Sequence, residues 1–92
     1  MYLHLGQSVV IPFRDVVGIF DLDNASFSHR TRAFLRQAEE RGHVINVSEE
    51  LPKSFVLCKT KENEIRVYIS QLSSATLLRR AEDSQMEGNF LG

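Results

Sequence analysis

The chain is expected to be a small α+β fold: a mostly antiparallel sheet, one main helix at about 26–41 and a short C-terminal helix at about 73–82. Three features point there. Short apolar runs recur between turn signals, as strands do. One longer stretch, Phe27 to Ala38, repeats its apolar residues at the helical period. The links between the early runs are too short for the crossovers that parallel strands require. With 92 residues the chain makes one domain, assigned to 1–82, followed by a loosely ordered tail at 83–92.

Tyr2-Leu3-His4-Leu5 alternates weakly and Gly6-Gln7-Ser8 turns the chain. Val9-Val10-Ile11 is a second strand, stopped by Pro12, which has no N–H to give a ladder. Val16-Val17-Gly18-Ile19-Phe20 follows, opened by Arg14-Asp15 and closed by Asp21-Leu22-Asp23. Its apolar residues are consecutive rather than alternate, the pattern of a strand covered on both faces, which puts it at the centre of the sheet. These first three strands are expected to form an antiparallel meander.

Asp23, Asn24 and Ser26 are candidate caps for the main helix. Phe27, Thr31, Phe34, Leu35 and Ala38 make its inward stripe, with His29, Arg32, Arg36 and Glu40 opposite, and Gly42 offers a left-handed stop. A short strand at 43–47 and an exposed loop at 48–53 come next. Ser54 to Thr60 and Ile65 to Ser70 read as a hairpin turning at Lys61-Glu62-Asn63-Glu64. In its first arm Phe55-Val56-Leu57-Cys58 is apolar on both faces, so that arm is an inner strand. Ser73 or Ser74 caps the last helix, with Ala75 and Leu78 turned inward and Leu77 a secondary candidate.

Eleven basic residues stand against twelve acidic ones, so a nucleic-acid role must rest on local clustering rather than on a basic surplus. The lone Cys58 excludes an internal disulfide framework and fits a reducing compartment. There is neither a signal-peptide pattern nor an apolar run long enough for a bilayer, so no membrane contact and a cytoplasmic location are expected.

Few residues are arranged for chemistry. An apolar strand ending in Asp21-Leu22-Asp23 resembles the first motif of haloacid-dehalogenase-type phosphatases, whose first Asp is a nucleophile and second a general acid/base beside magnesium. That fold is a much larger parallel α/β domain, and Ala25 stands where the family usually has Thr or Val. Asp21 and Asp23 are therefore read as strand-end and helix-start residues. The same acids fail as a calcium loop, because Ser26 replaces the turn glycine and Arg32 the bidentate Glu. His4, His29 and His43 have no zinc spacing with Cys58 or with one another. The chain is read as a non-enzyme with no catalytic residue, cofactor or metal.

The basic residues remain. Arg30, Arg32 and Arg36 share their helix with Glu39 and Glu40, and Arg79-Arg80 is offset by Glu82-Asp83, which reads as solvated surface. Lys53, Lys59, Lys61 and Arg66 sit on or beside the hairpin and make a patch if the sheet twist gathers them. Repeated around a symmetric oligomer, such a weak patch would hold a phosphate backbone through many contacts.

Met1-Tyr2-Leu3-His4-Leu5-Gly6, Arg14-Asp15-Val16-Val17-Gly18-Ile19-Phe20-Asp21, Pro52-Lys53-Ser54-Phe55-Val56 and Ile69-Ser70-Gln71-Leu72-Ser73-Ser74-Ala75-Thr76-Leu77 resemble, in order and spacing, the bacterial extracellular matrix regulatory proteins. The resemblance covers Met1 to about Arg80. It implies a compact α+β domain that assembles into ring-like homo-oligomers. In the better understood branch it implies a DNA-binding regulator of biofilm matrix genes, related in shape to LytTR-type DNA-binding domains. That branch has an arginine just before the apolar run and an arginine-rich loop ahead of the next core strand. Here Asp15 holds the first place with Arg14 one position earlier, and Leu51-Pro52-Lys53-Ser54 keeps a single cation. Arg14 and Lys53, with Arg66 from the hairpin, are the DNA-binding residues the resemblance suggests. The partners expected are further copies of the chain, double-stranded DNA and a sister regulator. The alternative is an oligomeric scaffold that acts through other matrix regulators without touching DNA.

Overall fold

A computed structural model describes the backbone of residues 1–25 and 28–91, with side chains described through Asp23 and from Ser28 to Asp83. Its first element is a hairpin. Strand β1 (Tyr2–Gly6) pairs antiparallel with β2 (Val9–Pro12), and the connection uses the left-handed conformation at Gly6 and Gln7 (φ 111° and 49°). Alternation sends Leu3, Leu5 and Ile11 into the core and leaves Tyr2, His4 and Val10 outside.

The second sheet has four strands in the order β3 (Val16–Asp21), β5 (Ser54–Lys59), β6 (Ile65–Ser70) and β4 (Val44–Asn46). β3–β5 and β5–β6 are antiparallel, while β4 lies parallel to β6. The mostly antiparallel α+β class is therefore what forms, and the hairpin β5–β6 turns where expected, closed by Thr60 and Glu64 with Asn63 left-handed.

Two expectations about β3 are overturned. It does not continue a meander from β2, because the β1–β2 hairpin is a sheet of its own. Nor is it central: it forms one margin of the four-stranded sheet, and β5 and β6 are the inner strands. A bulge explains the misleading pattern. Val16 pairs with Cys58 but Gly18 pairs with Leu57, so Val17 is an extra residue turned outward and 61% exposed. The bulge shifts the phase, so that Val16 and Ile19 reach the same core although three positions apart. The consecutive apolar run reflects that shift rather than cover on both faces.

Each face of the inner strands carries its own core. On β5, Val56 and Cys58 join Leu3, Leu5, Ile11, Tyr68, Leu77 and Ala81 beneath the β1–β2 hairpin and helix α3 (Ser74–Leu91). On the opposite face Phe55 and Val67 pack with Ala38 of helix α2 (His29–Glu40). Two buried serines tie the layers together. Ser70 Oγ donates to the Leu5 carbonyl (2.8 Å) and accepts from the Leu72 N–H (3.0 Å), and Ser54 Oγ donates to the Leu72 carbonyl (2.7 Å).

The helices differ from expectation in their ends and rotation. The stretch after β3 is split into a single turn, α1 (Leu22–Ala25), and α2, which starts behind Ser28. Ser28 is the cap, its Oγ accepting from the Thr31 N–H, and Asp23 instead donates its N–H to Asp21 Oδ1 at 2.8 Å. The side chain of Asn24, and Ser26 and Phe27 altogether, lie outside what is described. Within the expected stripe Ala38 is buried, but Phe34 is 36% exposed. Gly42 supplies the left-handed stop (φ 74°) as expected.

Ser73 caps α3 through its Oγ, which accepts from the Thr76 N–H at 3.1 Å. Leu77 and Ala81, one turn apart, face the core, whereas Ala75 and Leu78 are exposed and not inward as expected. Helical backbone continues to Leu91, beyond the expected end near Glu82: no Gly or Pro lies between Glu82 and Gly88, and the helix passes through Gly88. Gly92 lies outside the described residues.

Gly6 shows how tightly the hairpin meets the sheet. A Cβ there would lie 2.8 Å from Gln71 Nε2, and the φ of 111° is itself strained for any other residue. Gly6→Ala is expected to lower stability by about 1–3 kcal/mol, read as an earlier urea midpoint with an unchanged slope.

Candidate nucleic-acid interface

The strand registers decide which cations meet. Arg14 belongs to the 3₁₀ turn Phe13–Asp15 that leads into β3. Cys58 of β5 faces Val16 on one side and Arg66 on the other, which puts Arg14 and Arg66 at the same end of the sheet. Lys59, opposite Ile65, and Lys61 in the following turn belong to that end too. Lys53 does not. Its N–H donates to the Ser70 carbonyl (2.9 Å) and its carbonyl accepts from the Leu22 N–H (3.0 Å), beside the Asp21–Ser54–Ser70 end. At about 3.3 Å per residue a six-residue strand separates the two ends by roughly 17–20 Å. The hairpin cations thus fall into two groups, one at the turn and one at the open end.

Acids modulate the turn-end group. The Arg14 Nε lies 3.9 Å from Asp15 Oδ1, a long contact between a mostly exposed guanidinium and a largely covered carboxylate. Arg66 Nη2 donates to Glu64 Oε2 at 3.2 Å. The Tyr68 hydroxyl, and after it the Glu64 carboxylate, raise the Arg66 pKa above its ordinary value, so its charge is permanent. The Arg66–Glu64 pair is exposed and screened by salt, and Arg14 is exposed and held only by the long contact, so each guanidinium can exchange its carboxylate for a phosphate at small cost. Lys53 makes no ion pair among the described residues.

One component was not anticipated from the sequence. Tyr2 pairs with Pro12, and the Phe13 N–H donates to the Met1 carbonyl at 2.9 Å. Together they place the Tyr2 and Phe13 rings beside Arg14 in an open groove of about 300 Å³ that Met1 and Pro12 also line. Tyr2 and Phe13 are far apart in sequence, and only the hairpin register joins them.

The other arginines lie elsewhere. Arg30, Arg32 and Arg36 are exposed along α2, on the opposite face from α3, and Arg80 Nη1 donates to the His4 carbonyl at 3.3 Å. Asp21 and Asp23 form the turn that starts α1, and the described residues hold no group of three or more His, Cys, Asp or Glu arranged for a metal ion.

Cys58 is 1% exposed, and burial followed by the nearby Asp15 charge pushes its thiol up from 9.0 to about 11. The folded form holds this proton where an unfolded thiol has lost it. Its contribution to stability is therefore full below pH 9 and declines as pH rises through about 11. Urea midpoints measured from pH 8 to 11 should fall more steeply for the native chain than for Cys58→Ala. Alkylation of the folded protein near pH 8 should be slow.

No helix among the described residues is long and apolar enough to cross a membrane. No family model matches the chain. Extracellular matrix regulatory protein B of Bacillus subtilis (strain 168) is 40% identical over 82 residues, covering 89% of this chain and 91% of that protein.

Proposed function

The chain belongs to the extracellular matrix regulatory protein family, and from that premise we propose that it regulates bacterial extracellular matrix (biofilm) genes in the cytoplasm, as a homo-oligomer that binds duplex DNA. The observation that carries this reading is the gathering of Arg14, Arg66, Lys59 and Lys61 at one end of the sheet, next to the exposed Tyr2 ring. A net charge of −1 gives a single copy little long-range attraction for DNA. Several such ends presented together supply it through multivalency. Lys53 enters as a separate contact at the far end.

The test is solution mass by light scattering, followed by a salt series of duplex binding on the same sample. Binding should weaken steeply with salt, and Arg14→Ala or Arg66→Ala should each lower the slope of log K against log salt by about 1. Because Lys53 is remote, the free-energy losses of Lys53→Ala and Arg14→Ala should add.

A second reading is an oligomeric scaffold acting through proteins, including mixed assembly with a sister regulator. It is favoured by the near-neutral charge and by apolar residues left bare at the β3 margin, such as Val17. Its mark is partner capture indifferent to Arg14→Ala and Lys53→Ala, with no duplex shifted at low salt.

A further inference from the structure

We propose that the C-terminal half of α3 from one copy of this chain docks in the groove between α2 and the β3–β5 margin of another. This rests on the oligomeric part of the reading above and is independent of DNA.

The groove lies where α2, seated over β4 and β6, stops short of the β3 margin, so that Phe55 is buried but Phe20 beside it is not. Phe20, Phe34, Phe55 and Leu57 line it, with Thr31 and Arg30 on the helix side, around a volume of about 240 Å³. The Phe20 and Phe55 rings stack at 4.9 Å and 17°, yet Phe20 stays 38% exposed. That volume is below the usual range of a small-molecule pocket, roughly 300–1,000 Å³. It suits a single large side chain anchoring a protein contact.

Charge selects the occupant. Arg30 makes no ion pair among the described residues and stands at the mouth of the apolar groove. Residues 82–91 of α3 read Glu-Asp-Ser-Gln-Met-Glu-Gly-Asn-Phe-Leu, with three acids and no base. Met86 and Phe90 are one helical turn apart, and Glu87 lies one turn before Phe90. The segment thus offers an apolar anchor with a flanking carboxylate to a groove of apolar walls with a flanking guanidinium.

The donor must be another copy. α3 packs on the hairpin side of the sheet, with Ala81 its last buried described residue, while the groove opens on the α2 side. Beyond Ala81 the helix backbone runs ten more residues, about 15 Å. Joining unlike surfaces makes the contact head-to-tail, which closes as a ring if the rotation per copy permits.

The experiment uses full-length chains. One variant carries Thr31→Cys in the groove and a second carries Asn89→Cys beside the anchor, while Cys58 is buried and protected. Under mild oxidation their mixture should give a mixed disulfide dimer that neither variant gives alone. The band should vanish when Phe34→Asp is added to the first chain or Phe90→Ala to the second, with folding checked by circular dichroism. Arg30→Glu should lower the yield by roughly two- to fivefold, and Glu87→Arg on the other chain should restore it. Absence of the mixed band, or ready cross-linking within one chain carrying both cysteines, overturns the proposal. Light scattering separates the failures: an assembled but uncross-linked sample sinks this interface alone, and a monomer sinks the oligomeric reading with it.

Discussion

Replacing Leu77 by alanine should destabilise the fold by about 2–5 kcal/mol, whereas the same change at Leu78 should stay within about 0.5 kcal/mol. The two leucines are neighbours in sequence and equal in hydrophobicity. Leu77 is fully buried against Leu3, Leu5, Ile11 and Val56, and its removal leaves a cavity that two sheets and a helix would have to collapse to fill. Leu78 is 48% exposed and loses little on truncation. With total stability commonly near 5–15 kcal/mol, the first variant is close to a folding defect. Paired urea titrations decide the matter, and equal midpoints for the two variants would show that α3 is not rotated as described.

Ser70→Ala should cost about 2–4 kcal/mol and exceed Ser54→Ala. The Ser70 hydroxyl serves two backbone groups, the Leu5 carbonyl and the Leu72 N–H, while Ser54 serves the Leu72 carbonyl alone. Leaving a buried polar group unpaired costs about 1–3 kcal/mol for each group. Both serines are fully buried and directly opposite on β5 and β6. Ser70→Ala should also speed hydrogen exchange at the Leu72 amide, because that N–H loses its acceptor. A Leu72 amide as protected in Ser70→Ala as in the native chain would contradict the role given to this latch.

Much of the architecture was legible because local chemistry specifies it. The hairpin turn at 61–64, the stop at Gly42 and a serine cap at 73 or 74 each state their own geometry, and each is found. The alternation of Ile65, Val67 and Ile69 with Arg66, Tyr68 and Ser70 suggests one face open to water, but Tyr68 and Ser70 are buried as well because the β1–β2 hairpin and α3 cover that face. The errors share a different origin. Val16 to Phe20 looked central because a bulge imitates the pattern of a doubly covered strand. Leu78 is ranked inward ahead of Leu77, the reverse of what forms, since the rotation of a helix depends on what lies beneath it. The interface suffered likewise: Arg14 and Arg66 were named, but their company with Lys59 and Lys61, and their distance from Lys53, follow from which residue faces which across β3, β5 and β6.

By itself the sequence determined the class of fold, the hairpin β5–β6 and the family, because turn chemistry, periodicity and the order of short blocks are written along the chain. The tertiary structure alone decided which strand stands at the margin, which cations share an end, and where an apolar groove is left open. Those features depend on register and layering between segments distant in the chain. A one-residue slip or a small helix rotation changes them while leaving every local preference satisfied.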